Sequence, residues 1–364
     1  MELLTESLDI GKIYNQQNKN NKLLQIVITQ YNDGEENIKL LLDSILLQRM
    51  VDFSKIGVII INDGDKHILG KRFVNNFNKY PFDIDYYIEP WSGISGARQH
   101  GLDKVTAEYV MFCDGDDMLL RINALHDVFK IIKDQSPDII TSKFITDMYD
   151  NNGNFTHYNE YYKENVWIHG KFWKKEFLDK YNIKWNEKLK IYEDSYFVRL
   201  AYAMNPKKVD IEQPTYFWKY RDTSITRSDP DWVYRTYCEK VDSNIELVEQ
   251  FIQRGDKHQA ALYIWAQAYE MYFTSFEKDW DIKYRIPWKK QMEKKFIEYF
   301  SKYHEYLSLV NTEEEIVMMS TMRKRFYEQK HRVSKEPYSF EQFVYLMFDK
   351  YDQIDEDMKK EIEK

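Results

Sequence analysis

Three carboxylates crowd the run Phe112-Cys113-Asp114-Gly115-Asp116-Asp117. Side chains this close repel one another unless a cation or hydrogen-bond donors offset their charge. Hard divalent ions take carboxylate oxygens, and Mg²⁺ uses one or two carboxylates together with waters and substrate phosphates. An ion held this way could act as a Lewis acid on a diphosphate leaving group. Asp and Gly also favour ordinary solvated turns, so Asp114, Asp116 and Asp117 gain meaning only from what accompanies them.

Five further stretches accompany them. Asn62-Asp63-Gly64-Asp65 could place an acidic side chain against a base or ribose, as acidic residues do in dinucleotide folds. Trp91-Ser92-Gly93-Ile94-Ser95-Gly96-Ala97-Arg98 opens a helix whose first amides attract anions, with Arg98 supplying a fork suited to phosphate. The spacing fits neither the Walker A nor the Rossmann glycine pattern. Ile191-Tyr192-Glu193-Asp194 puts two carboxylates at a helix start, where they either stabilise the helix or serve as a base toward an acceptor hydroxyl. Trp167-Ile168-His169-Gly170-Lys171 precedes that pair, and Trp218-Lys219-Tyr220-Arg221 follows it.

These residues need elements to hold them. Leu24 to Thr29 and Ile56 to Ile61 are short β-branched runs that read as buried strands, and Tyr86 to Ile88, Tyr109 to Cys113 and Ile139 to Ile145 read as further strands. Between them, Ile38, Leu41, Leu42 and Ile45 mark an amphipathic helix, Ser95 to Val105 a second, and Ile122 to Ile132 a third. Alternating strands and helices predict an α/β fold with a doubly wound, mostly parallel sheet, whose ligands bind at the carboxyl edge of the strands. Residues 1–22 end in a polar tract and read as a leader, 23–230 as the α/β catalytic domain. Beyond 231 glycine nearly vanishes, and periodic segments (233–254, 258–276, 288–307, 313–329 and 340–350) predict an all-helical C-terminal domain.

In order and spacing the set resembles the inverting family-two glycosyltransferases of the GT-A fold. The resemblance runs from Thr29-Gln30-Tyr31-Asn32 through Asn-Asp-Gly, Gly-x-Ser-x-Ala-Arg, Asp-x-Asp-Asp and Glu-Asp to Trp218–Arg221 with Ser224-Ile225-Thr226. It implies a nucleotide-sugar donor, most commonly a UDP-sugar, and Mn²⁺ or Mg²⁺ as cofactor. It also implies roles. Thr29 and Tyr31 flank the base, Asp63 hydrogen-bonds it, Arg98 approaches the donor, and Asp114 contacts ribose or sugar. Asp116 binds the metal with Asp117 in support, Asp194 is the general base with Glu193 orienting it, and Arg221 lies by the diphosphate. His169 and Trp167 become acceptor-side candidates. Two departures stand out: Ile28 replaces the family's proline, and Asp65 follows Gly64 where serine is usual.

Composition bounds the rest. With 43% hydrophobic and 31% charged residues, the 364-residue chain reads as an ordinary globular protein. No apolar run approaches a membrane span or a signal peptide, and two cysteines, Cys113 and Cys238, make no disulfide framework, so a cytoplasmic location is expected. A net charge of -8 argues against nucleic acid as partner. Basic clusters at Trp288–Lys295 and at Arg323, Lys324, Arg325, Lys330, His331 and Arg332 could still favour peripheral contact with a membrane or an anionic acceptor, and the helices could mediate oligomers. The expected acceptor is a hydroxyl of a surface glycan; a protein, a modified DNA base, or sugar-nucleotide binding without transfer are the alternatives.

Overall fold

The computed structural model describes residues 11–15, 22–64, 68–150, 152–161, 166–221, 231–272, 286–310, 345–353 and 356. The chain divides into two compact units, Met1–Ser224 and Ile225–Lys364.

The first unit is built on one sheet. Strands β2 (Leu24–Gln30) and β3 (Ile56–Asp63) are buried at every position, as continuous β-branched runs in a sheet covered on both faces should be. They pair in parallel, with β4 (Asp83–Glu89) beyond β3 and β5 (Tyr109–Asp114) on the other side of β2. Helix α1 (Glu35–Leu46) presses Ile38, Leu41, Leu42 and Ile45 into the core, each fully buried side chain contributing about 1.5–3 kcal/mol. Helix α3 (Gly93–Asp103) lies against β2 and β3. The α/β fold with a largely parallel sheet core is thus the expected one.

The sheet also holds five strands that the sequence reading lacks. Gly11–Asn15 (β1), assigned above to the leader, pairs antiparallel with β4. The two-residue β6 (Met118–Leu119), β8 (Phe155–Tyr161), β9 (Lys171–Lys174) and β10 (Lys208–Trp218) complete it, and β7 runs Ile139–Tyr149. The order is β1-β4-β3-β2-β5-β9-β7-β10-β6, with β8 on β7. Strand β9 runs antiparallel to both β5 and β7, so it separates two parallel sets, β4-β3-β2-β5 and β7-β10. The missed strands are short or carry polar residues throughout, so no apolar run announces them. Short helices α2 (Lys71–Val74) and α5 (Lys175–Lys180) and the longer α4 (Ala124–Gln135) and α6 (Glu193–Ala203) complete this unit.

Helices α7 (Trp232–Arg235), α8 (Tyr237–Gln253), α9 (Lys257–Tyr272) and α10 (Ile286–Tyr303) make up the second unit, with a further helical stretch in 345–353. Leu247, Val248 and Phe251 of α8 and Ile264, Trp265 and Ala268 of α9 are buried, and the Trp265 indole donates to the Leu307 carbonyl at 3.0 Å. In the Trp288–Lys295 cluster, Lys289 and Lys295 pair with Glu293 and Asp242. The 313–329 segment and the Arg323–Arg332 cluster lie outside the described residues. Among the described residues no helix is long and apolar enough to cross a membrane.

Candidate active site

Parallel register brings the strand ends together. Thr29 sits opposite Asp114, Gln30 opposite Asn62, and Asp63 opposite Glu89, all at the carboxyl edge of the sheet. The acidic turn then folds back on β2, with the Gly115 amide donating to the Thr29 carbonyl at 2.9 Å. A Cβ at Gly115 would stand 2.9 Å from both Asp33 Oδ2 and Ile38 Cδ1, so only glycine lets the turn lie this close to α1.

Arg98 crosses from α3 beneath this turn. Only 4% exposed, it donates to Asp114 Oδ1 and Glu193 Oε1, both at 2.8 Å, with its guanidinium 4.8 Å above the Trp185 ring. This buried cation ties the acidic turn to the Glu193-Asp194 pair. Burial works against the Arg98 charge, but Asp114 and Glu193 outweigh it and hold the group protonated. Burial likewise raises Asp114, yet Arg98 and then His169 prevail and keep its carboxyl below the usual range.

Glu193 and Asp194 begin α6. Burial lifts Glu193 against the pull of Arg98. Asp194 is half-buried, and it is pushed up to about 7 by desolvation and then by the neighbouring Glu193 charge. Its Oδ1 accepts from the Ser195 amide at 2.6 Å.

On the other side of the turn, Arg221 Nη1 bridges Asp33 Oδ1 at 2.9 Å and Asp116 Oδ2 at 2.8 Å. Burial and then the Asp116 charge push Asp33 up to about 6. Asp116 is raised by burial and by Asp114, with Arg221 opposing. Asp117 is 1% exposed, and both its oxygens are engaged, one by the Tyr216 hydroxyl and the other by the Lys219 amide at 3.0 Å. Burial, then Asp116 and Asp114, hold it well above the carboxylate range. Asp117 thus anchors the turn to β10, which leaves it poorly placed as a direct ligand.

The remaining expected residues fall around this centre. Thr29 donates to Asp114 Oδ1 at 3.3 Å, and Tyr31 is 58% exposed just past β2. Asp63 is buried, with Oδ1 accepting from the Ser92 amide at 2.7 Å and the Ser92 hydroxyl at 2.9 Å, so it pins the loop that enters α3. Gly64, at φ +65°, packs so tightly on Trp91 that a Cβ would lie 2.5 Å from the Trp91 nitrogen. His169 stacks between Tyr216 and Trp218, at centroid distances of 4.9 and 5.4 Å, and Trp167 stands edge-on to Phe144 and Tyr161 in the same aromatic cluster. Asp65 and Ser224–Thr226 lie outside the described residues.

The donor set suits a hard cation. Six carboxylates (Asp33, Asp114, Asp116, Asp117, Glu193 and Asp194) gather around the guanidinium groups of Arg98 and Arg221, and the Asp114 charge raises Asp33, Asp116 and Asp117. Asp114, Asp117 and His169 can also bring ligand atoms within 4.8 Å of one another, although Asp117 is committed to Tyr216 and Lys219.

Residues 25–204 match the model of the family described as glycosyl transferase family 2. The chain belongs to that family. It is 22% identical over 270 residues to the glycosyltransferase GlyA of Streptococcus pneumoniae, covering 68% of this chain and 37% of that protein. To the minor teichoic acid biosynthesis protein GgaB of Bacillus subtilis it is 26% identical over 193 residues, 49% of this chain and 21% of that one. The chain therefore spans well under half the length of these curated relatives. The crystal structure of S. aureus TarS 1–349 in complex with UDP-GlcNAc shares the fold at a TM-score of 0.59 and 15% identity, over 93% of this chain and 92% of that chain.

The family 2 match ends before Trp218–Arg221, yet from that segment the Lys219 amide reaches Asp117 and the Arg221 guanidinium reaches Asp116. Asp33, Tyr216, Ser92 and Trp185 are the members of the site that the sequence reading lacks. For Asp33 the signal was available: it is an acid three residues beyond the end of β2, on the same sheet edge as Asp114. Tyr216 and Trp185 offered none, because an aromatic in an unrecognised strand or loop reads as core.

Proposed function

We propose that this chain is a metal-dependent inverting glycosyltransferase that moves a sugar from a nucleotide-sugar, with UDP as the nucleotide, to an acceptor hydroxyl in surface-glycan synthesis of the teichoic-acid type. The observation that carries this reading is the Asp114–Arg98–Glu193 bridge, which locks an acidic turn of the donor side to a helix start bearing the half-buried Asp194. One pocket edge thereby offers a cation-binding turn and a separate carboxylate whose raised pKa suits proton abstraction near neutral pH.

In this mechanism Asp194 removes the acceptor proton as the hydroxyl oxygen attacks the anomeric carbon. The bond from that carbon to the diphosphate oxygen breaks in the same displacement, its electron pair leaving with the nucleoside diphosphate, and the anomeric configuration inverts. Asp116, with Asp114 beside it, would hold Mn²⁺ or Mg²⁺, whose charge supplies Lewis-acid stabilisation to the diphosphate. Arg221, set free from Asp116, can follow the same negative charge. Glu193, fixed by Arg98, orients Asp194, and Tyr31 and Asp63 flank the space expected for the base. Trp167 and His169 line the acceptor side. The unit beyond residue 225 is assigned to acceptor binding or oligomerisation, and the absence of a spanning helix among the described residues is compatible with peripheral work at the cytoplasmic face of a membrane.

UDP-GlcNAc, the ligand in the TarS complex, is the first donor to test. Asp194→Asn should keep UDP-GlcNAc binding by calorimetry and lose transfer by about 10²–10⁴-fold, the range of general-base contributions. Turnover at the parental rate would reject the assignment of Asp194.

A further inference from the structure

The hairpin β7–β8 carries a row of rings that the reaction above does not use. Tyr149, Phe155 and Tyr158 are 37%, 50% and 60% exposed, a high value for three large rings on one edge hairpin. They touch in sequence: Tyr149 to Phe155 at 6.1 Å, Phe155 to Tyr158 at 4.9 Å, and Tyr158 to Phe217 of β10 at 6.2 Å. Register puts this row on the sheet face opposite Phe144 and Tyr161, because Tyr158 pairs with Asp147 whereas Tyr161 pairs with Phe144.

The row is held in place and joined to the reaction centre. Asp147, 7% exposed, accepts from the Tyr149 hydroxyl at 2.9 Å with one oxygen and from the Tyr220 amide at 2.6 Å with the other. The Tyr220 ring lies 4.8 Å from that of Tyr149. Its chain neighbours are Lys219, whose amide holds Asp117, and Arg221, whose guanidinium holds Asp116. The aromatic row therefore starts against Tyr220, whose two chain neighbours hold the acidic turn, and leads away along the sheet edge.

Resting on the transferase reading, we infer that this row is an accessory subsite that holds uncharged saccharide units of the acceptor chain away from the reacting hydroxyl. Ring faces carry partial negative charge that attracts polarised C–H groups such as those of a pyranose, and a tilted series of rings offers several such faces. Asn152 and Asn154 at the exposed hairpin turn carry amide groups of the kind hydroxyls need. Local charge decides against other occupants. Among the described residues of this hairpin the one lysine, Lys143, is already paired with Glu160 at 2.5 Å beside Asp147 and Asp150, so the row offers no spare cation to anionic lipid or to the phosphodiester links of a teichoic-acid-type glycan and suits the uncharged sugar units of such a glycan.

The test compares full-length protein with a Phe155→Leu/Tyr158→Leu variant and a Phe155→Trp/Tyr158→Trp variant. Saturation-transfer NMR and titration use chitotetraose, cellotetraose and maltotetraose. The parent should bind at least one of these, the leucine variant at least tenfold more weakly, and the tryptophan variant with parental affinity. No tetrasaccharide binding by the parent, or equal binding by the leucine variant, overturns the inference. So does a leucine variant whose only change is loss of retention on phosphatidylglycerol vesicles or loss of self-association in sedimentation. A UDP-GlcNAc thermal shift measured in parallel should be the same in all three proteins. Its absence from the parent would count against the donor reading alone, because tetrasaccharide binding is scored separately.

Discussion

Replacing Arg98 by methionine keeps a flexible apolar stem in the buried position and removes the guanidinium and its charge. Two charge-assisted hydrogen bonds of 2.8 Å are lost, together with the guanidinium contact on Trp185. Breaking a buried ion pair from one side costs about 3–5 kcal/mol, because the partner is left charged without compensation. Asp114 has 30% of its side chain exposed and can rehydrate, whereas Glu193 has 11% and cannot, which puts the cost near 3 kcal/mol, the low end of that ~3–5 kcal/mol range. With a slope of about 4 kcal/mol/M, the guanidinium chloride midpoint should fall by about 0.8 M. The pH dependence gives the sharper test. Without the guanidinium the Glu193 carboxyl rises further above its unfolded value, so the folded state binds the proton more tightly. Stability then falls as pH rises from the unfolded pKa through the folded one. The deficit should be larger at pH 8 than at pH 5, and Arg98→Met/Glu193→Gln should recover about half of it. A loss below about 1 kcal/mol, or one equal at both pH values, would refute the bridge as an electrostatic element.

If Asp194 is the base it must be ionised, so kcat/KM for transfer should rise with pH through about 7 and then level; a flat profile across that range refutes the role. Arg221→Ala removes the cation that competes for Asp116, so Mn²⁺ binding without donor, read by electron paramagnetic resonance, should tighten by about tenfold, the low end of what a neighbouring charge does to a carboxylate's proton affinity. Weaker binding would show that Arg221 shapes the turn instead. Gly115→Ala should cost about 1–3 kcal/mol by driving a methyl into Asp33 and Ile38, and an unchanged melting temperature would mean the turn yields freely.

The parts of the fold legible in the sequence were those whose burial is complete. Leu24–Thr29 and Ile56–Ile61 face apolar layers on both sides, and so each residue shows its environment by type. Lys208–Trp218 interleaves Asp210, Glu212 and Gln213 with its apolar residues and has Pro214 where β-pairing is interrupted between Ile211 and Tyr216, so its strand character comes from β7 and not from its own pattern. The same distinction runs through the site. Asp114, Asp116 and Asp117 are visible because they are neighbours in the chain. Arg98 could be named, but its partners lie 16 and 95 residues away, and only folding brings them to it. Asp63 was read as a contact for a base, while one of its oxygens is occupied by Ser92, 29 residues on.

Strand β9 makes a seam. Because it runs against both neighbours, the two parallel ribbons on either side share no ladder, and each keeps its own hydrogen-bond register. Length changes or exchanges in the β7–β8 hairpin can thus be absorbed on one side without shifting the strand ends that carry Thr29, Asp63 and Asp114 on the other. A scaffold jointed in this way can acquire new acceptors by swapping one ribbon's loops while the chemistry of the leaving group is inherited unchanged.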